Sequence, residues 1–273
     1  MKTTYGLLAS LATLTITGCF ERNVATEQLC ENSPELRCEN LNMGDGQCRI
    51  PRTNLIWHRY EQFKHPSEEN QIEEYRIIVE YRKCLELASQ IATIDQSALI
   101  TKRFNALVHS IDELERIVGE LKASDRAETL YFLWSQTADT QAQRQFLQME
   151  GSPQLNTAEM QYALATFYAN RDTTKTLTLL NHALRLSNEE NLNPVILKSL
   201  ASIHQGLGEK KRSYLWAMVA KRFDVPVANE KQLKRMFDFN DPDQNQKLDA
   251  LAKSIANNIK QGKYSPDLIP ENI

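Results

Sequence analysis

Apolar residues recur along this chain at helical spacing. Ile72, Tyr75, Val79, Leu85, Ala88 and Ala92 form a stripe, which predicts a helix capped by Ser67 and running to about Ile94. The next stretch is more regular. Ile100, Phe104, Leu107, Ile111, Leu114, Val118 and Leu121 alternate steps of four and three, the spacing of a heptad seam. Ser110-Ile111-Asp112-Glu113 fits a capping box, so two short helices meeting there are favoured over one long helix. Three heptads make a short zipper, and the seam is therefore assigned to intramolecular core. Near the end of the chain two helices are expected, about Glu230–Phe237 and Asn245–Gln261. The second turns Leu248, Leu251, Ile255 and Ile259 inward and stops at Gly262.

Between these regions the pattern repeats. Leu164-Ala165-x-x-Tyr168 is followed by Leu180 and Ala183, and thirty-six residues on Leu200-Ala201-x-x-His204 is followed by Ala217 and Ala220. Upstream, Leu130-Tyr131-x-x-Trp134 precedes Ala142, Phe146 and Met149, thirty-four residues before the middle set. Such a period belongs to helix–turn–helix repeats, with small residues where two helices cross and bulky ones where hairpins stack. The pattern resembles tetratricopeptide or Sel1-like repeats, although Ala or Tyr replaces the usual Gly. That resemblance implies a concave face of stacked first helices. Repeat positions put Glu128, Ser135, Tyr162, Thr166, Asn170, Lys198, Ser202 and Gln205 on it, as candidate partner-binding residues. Asn193-Pro194 reads as the cap and first residue of the third unit, and His204, at an aromatic position of the repeat, as a packed core histidine.

Composition points to the same class. The chain has 273 residues, 41% of them hydrophobic and 25% charged, ordinary values for a globular protein. Its nine glycines and nine prolines are about 3% each, too few for the turns of many short strands. The expected fold is all-α: tetratricopeptide-like hairpins in an α-solenoid, preceded by a helical hairpin region and a disulfide-stapled cap. A net charge of −3 offers no basic field for nucleic acid, which is excluded as a partner class.

The first twenty residues run from positive to apolar to small, as a processing signal does. Ile16-Thr17-Gly18-Cys19 resembles the bacterial lipobox, which implies cleavage before Cys19 and a diacylglyceryl group on its thiol. The uncharged run Leu7–Ile16 is half of what spans a membrane. Phe20, where that family's inner-membrane proteins tend to carry Asp, implies the outer membrane, with the protein facing the periplasm. Four further cysteines, Cys30, Cys38, Cys48 and Cys84, then enter an oxidising space, and two disulfides are expected. Cys30 with Cys38 and Cys48 with Cys84 is the preferred pairing of three possible ones. Their spacing is unlike that of zinc ligands. Segment 20–66 holds Asn32, Pro34, Gly44, Gly46, Pro51 and Pro66, too much turn chemistry for one long element, and reads as a stapled cap.

Signatures of catalysis are absent: His-Glu-x-x-His, Gly-x-Ser-x-Gly and the phosphate-binding glycine loops do not occur. Trp57-His58-Arg59-Tyr60-Glu61 is read as solvated cap surface, and Glu68, Glu69, Glu73, Glu74 and Glu80 as the acidic early part of a helix. Asp241-x-Asp243-x-Asn245 has the opening spacing of a calcium loop. Gln246 stands at its sixth position and Ala252 at its twelfth, so a turn capping the last helix is preferred. No cofactor, metal or catalytic residue is assigned.

As a whole the chain resembles a family of uncharacterised lipoproteins of marine gram-negative bacteria. The likeness is carried by Asp45-Gly46-Gln47-Cys48-Arg49-Ile50-Pro51-Arg52, Leu130-Tyr131-Phe132-Leu133-Trp134-Ser135, Tyr162-Ala163-Leu164-Ala165-Thr166-Phe167-Tyr168 and Lys198-Ser199-Leu200-Ala201-Ser202. It implies no activity. The expected organisation is a signal peptide at 1–18, a lipid-anchored linker and Cys-rich cap at 19–66, a helical region at 67–124, repeats at 125–225, capping helices at 226–262 and a tail at 263–273. The expected function is binding, without enzyme activity, of an envelope protein or peptide by a module held at the membrane through its N-terminal lipid. A peptidoglycan or polysaccharide enzyme of the envelope, or a purely structural component, is the alternative.

Overall fold

Ser67 accepts the backbone N–H of Asn70 at 3.1 Å, and from it α3, Glu68–Ala88, unwinds into a hairpin with the helix before it. These contacts come from a computed structural model that describes residues 25–91, 97–237, 239 and 241–273. Regular structure among the described residues is entirely helical. The chain divides into two compact units between Arg116 and Ile117.

In the first unit, α1 (Thr26–Asn32) and two 3-10 turns lead to α2 (Arg49–Lys64). The cap is thus less broken than its turn residues imply. Pro51 is the third residue of α2, where the missing N–H has no helical acceptor to lose. Disulfides join Cys30 to Cys38 and Cys48 to Cys84, so the second fixes the start of α2 against the later part of α3. α3 ends at Ala88, short of Ile94, because Ser89 and Gln90 both donate their side chains to the Glu86 carbonyl and the backbone turns there. Ala92 and Ile94 lie outside the described residues. The buried stripe is also rotated: Ile72, Ile78, Tyr81, Leu85 and Ala88 are buried with Glu74, while Tyr75 and Val79 are half-buried.

α4, Ser97–Leu121, is one continuous helix. Ser110 does not cap a second one. Its hydroxyl donates to the Leu107 carbonyl at 2.6 Å, a bond made inside an unbroken helix. Nor is the whole seam core. Arg103, Ala106, Ser110 and Leu114 are buried, whereas Phe104 and Ile111 are 57% and 41% exposed.

The reason is a buried polar network that the apolar pattern does not reveal. Arg103 donates to both carboxylate oxygens of Asp45, at 2.5 and 3.1 Å, and to the Ala88 carbonyl at 3.1 Å. Arg52 holds the Asn42 and Asp45 carbonyls, and the Tyr81 hydroxyl donates to Asn42 Oδ1 at 2.6 Å. Arg59 donates to Glu74 at 2.8 Å, to the Leu36 carbonyl and to Glu113. It is 5% exposed, which corrects the solvated reading of its neighbourhood. A buried charge is tolerated only when each of its groups finds a partner, and the cap carbonyls of Leu36, Asn42 and Asp45, with that of Ala88 at the end of α3, supply the acceptors here. The Arg103 guanidinium holds the Asp45 carboxyl down to about 2, and burial pushes Tyr81 up to about 12.

The second unit begins with three helical hairpins in succession. They are α5 (Ala127–Thr137) with α6 (Thr140–Gln148), α7 (Ala158–Tyr168) with α8 (Thr173–Arg185), and α9 (Val195–Gly206) with α10 (Lys210–Lys221). Asp139, Thr157 and Asp172 cap α6, α7 and α8 through side-chain oxygens, and Asn193 Oδ1 accepts the Val195 N–H where α9 begins. α10 is buried from Ser213 to Ala220 because α9 covers one side and α12 (Pro242–Lys260) the other. α11, Glu230–Met236, opens on an Asn229/Gln232 capping box. Asp241 caps α12 by accepting the Asp243 N–H at 2.9 Å. α12 turns Leu248, Ile255 and Ile259 inward with Ala252 and Ala256, Leu251 being half-buried. Gly262 follows with φ +66, the left-handed stop that glycine adopts without strain. Beyond it the chain is no loose tail. Tyr264 is 4% exposed and its hydroxyl donates to Asn181, and Arg212 donates to the Pro270 and Glu271 carbonyls.

Candidate binding groove

Four-residue spacing places Tyr162 and Thr166 one turn apart on α7, with Asn170 in the turn that follows. Lys198 and Ser202 are likewise one turn apart on α9. The interleaved positions face inward: Ala165 is 1% exposed and Leu200 has no exposed surface. Between the two helices lies a groove of about 490 Å³. Its floor is Ala165, Leu180 and buried Thr176, whose hydroxyl donates to the Asp172 carbonyl, and its walls carry Tyr162, Thr166, Asn170, Val195, Lys198, Ser199, Ser202 and Ile203.

Five of the eight residues expected on the inner face therefore meet in one place. Glu128, Ser135 and Gln205 do not line it. Glu128 lies 3.8 Å from Arg126 on the surface, and the Ser135 hydroxyl donates to the Phe132 carbonyl at 3.4 Å. Side-chain volume explains the difference. Trp134 packs edge-on against Tyr131 and Phe167, with ring centres 5.8 and 5.9 Å away, so rings occupy the space between α5 and α7 there. Ala165 and Ala169 leave an opening between α7 and α9. Gln205 sits beyond Ile203 in the last turn of α9. Val195, Ser199 and Ile203 are groove residues that repeat mapping misses. Val195, 48% exposed in the first turn of α9, is the one a search for an apolar residue at a polar repeat position would find.

The groove can make hydrogen bonds and offers one charge. Lys198 is exposed and no carboxylate belongs to the lining, so the local field favours anionic ligand groups. Burial pushes the Tyr162 hydroxyl above the usual phenol range, and it stays a neutral donor and acceptor at physiological pH. Thr166 already donates to the Ala163 carbonyl at 2.7 Å, and its hydroxyl also meets that of Tyr131. Tyr168, a bulky position of the repeat, is half-buried and donates to Glu150 at 2.7 Å, with Lys175 over its ring. His204 is 7% exposed, its Nδ1 is 2.6 Å from Glu209, and burial outweighs that carboxylate to lower its pKa. It is a packed residue outside the groove.

Among known proteins, a family model described as Protein of unknown function (DUF2989) matches residues 16–218. The match takes in Cys19, all four disulfide cysteines and the groove, and it stops within α10. No curated protein and no solved structure matches the chain.

Proposed function

The chain belongs to the DUF2989 family, and for it we propose the role of a helical-repeat binding module that holds an extended peptide segment of an envelope protein in the α7–α9 groove. The observation that carries this reading is the groove itself: a mainly apolar floor with amide, hydroxyl and ammonium groups along both walls. An extended backbone presents alternating donors and acceptors, which such walls satisfy while the floor takes a side chain. Recognition, not bond cleavage, is the chemistry these groups supply. The succession of hairpins supports a tetratricopeptide-like relationship, in which first helices form the docking face.

The reading is tested by Tyr162→Ala, Asn170→Ala and Lys198→Ala combined. Asn170 and Lys198 are exposed, where substitutions usually shift stability by no more than about 0.5 kcal/mol each, and truncating the half-buried Tyr162 ring costs about 1 kcal/mol, the centre of the range for point changes. Thermal unfolding of the triple variant should stay within several degrees of the parent. Recovery of crosslinked envelope partners, compared by mass spectrometry, should drop. Early unfolding would make these residues structural, and undiminished recovery would remove the groove as the site.

We also propose that the module is an outer-membrane lipoprotein facing the periplasm. Support comes from the Ile16-Thr17-Gly18-Cys19 sequence and from the two disulfides, which persist in oxidising compartments. Residues 1–24, Cys19 among them, lie outside the described residues. Cells fed labelled palmitate should label the parent and not Cys19→Ala, which should also retain residues 1–18. Label on the variant would end the anchor reading.

A further inference from the structure

Part of the apolar surface of α4 faces inward in the first unit, and part does not. Phe104, Val108 and Ile111 are 57%, 41% and 41% exposed. Together with half-buried Ile100 they fall within an arc of about 80° on a helix of 3.6 residues per turn. Between Ser97 and Ile111 there is no acidic side chain. At residues 102–109 α4 shares an open cleft with α1, to which α1 contributes Glu27 and Glu31. α1 begins at Thr26, so the chain enters the first unit alongside α4. The residues from Phe20 to Val24 separate Cys19 from Ala25, and even fully extended that connection reaches only about 20 Å.

We propose that this apolar row of α4 docks on the lipid surface that holds Cys19. The proposal rests on the lipid-anchor reading above. A chain tethered so closely keeps α1 and α4 at the bilayer, where an amphipathic helix lies in the plane of the interface with its apolar side in the headgroup–acyl boundary. The glutamates of the cleft, which lies on the other flank of α4 from the row, stay in water, and exposed Glu115, one turn beyond Ile111 on the same side, marks where the apolar row ends. A second copy of the chain is a poorer occupant. Leu114, the next seam position, is buried at 6% exposure, so the open row is shorter than two heptads, too short for a stable zipper.

The test uses the full-length chain reconstituted into vesicles of phosphatidylethanolamine and phosphatidylglycerol, with and without bromine on the acyl chains. Phe104→Trp adds an emitter at an exposed position. The emission it adds over the parent should fall by about half with bromines placed near the headgroup, the depth an interfacial helix reaches. Palmitate labelling and flotation are read on the same sample. A labelled, vesicle-bound chain whose added emission is untouched by bromine overturns the docking face and leaves the anchor standing. A parent that neither labels nor floats removes the anchor, and the docking proposal with it. Unquenched emission together with a dimer in sedimentation assigns the row to a second copy, which also overturns the proposal.

Discussion

Asp45→Ala should lower the free energy of unfolding by about 3–5 kcal/mol, the range expected when one partner of a buried ion pair is removed and the other is left behind. Urea denaturation of parent and variant measures it. Arg103 is 3% exposed and both of its Asp45 contacts would be lost, leaving only the Ala88 carbonyl among the bonds described above. The same carboxylate also accepts the Gln47 N–H at 3.0 Å and the Asn42 amide at 3.3 Å, so the turn before α2 loses its organising acceptor as well. Asp45→Asn keeps the shape and one acceptor oxygen, and should cost less than Ala. A loss below about 1 kcal/mol, the net value of an ordinary hydrogen bond, would mean that Arg103 finds water or another partner. The pH dependence follows with a definite sign. The Asp45 carboxyl is held down to about 2 from an ordinary value of 3.8, so its contribution is complete above the ordinary value and is lost as the pH falls through about 2. Parent stability should therefore decline between those limits more steeply than that of Asp45→Asn.

This network also marks where the sequence stops being legible. Helical spacing and capping residues locate the hairpins of the second unit well, because Leu164, Ala165, Ala183 and Leu200 are buried by helices adjacent in the chain. Local pattern suffices when the partner is local. α4 fails the same treatment because its inward face is chosen by Asp45, fifty-eight residues earlier. Arg103 turns in, and the more apolar Phe104 turns out. Charge at a helical position is normally read as solvent-facing, and nothing in the heptad spacing signals that a distant turn holds a matching carboxylate. The motif Asp45-Gly46-Gln47-Cys48-Arg49-Ile50-Pro51-Arg52 does hold three members of the structural apparatus, Asp45, Cys48 and Arg52. Their roles emerge only with their partners in place. The groove shows the same limit on a smaller scale. Repeat register finds Tyr162, Thr166, Asn170, Lys198 and Ser202, while the opening beside them depends on the small volume of Ala165 and Ala169 against the rings of Trp134 and Phe167. Periodicity states which way a side chain faces and says little about whether its neighbours leave room.

Cys48→Ala with Cys84→Ala should destabilise the chain more than Cys30→Ala with Cys38→Ala. The bridges close separations of 36 and 8 residues, for which loop entropy gives losses of about 4 and about 2.5 kcal/mol. Local structure widens the gap. α2 and α3 are joined at one end by the short turn at His65, whose carbonyl accepts the Asn70 amide at 2.8 Å, and the Cys48–Cys84 bridge ties that hairpin at its other end. Cys48 also follows directly on Gln47, whose carbonyl accepts from Asn42 and whose N–H is held by Asp45. Freeing Cys48 loosens the turn that presents Asp45 to Arg103. The two losses should then overlap. Asp45→Ala should cost less in the chain lacking this bridge than in the parent, with a coupling in the 0.5–3 kcal/mol range typical of residues in one network. In the chain lacking Cys30–Cys38, whose bridge joins α1 to the second 3-10 turn, the cost of Asp45→Ala should stay close to its parent value. Four denaturation curves around each cycle measure both couplings. Negligible coupling to both bridges would mean that they act only on the unfolded chain, and that the Cys48 bridge has no share in holding Asp45 against Arg103.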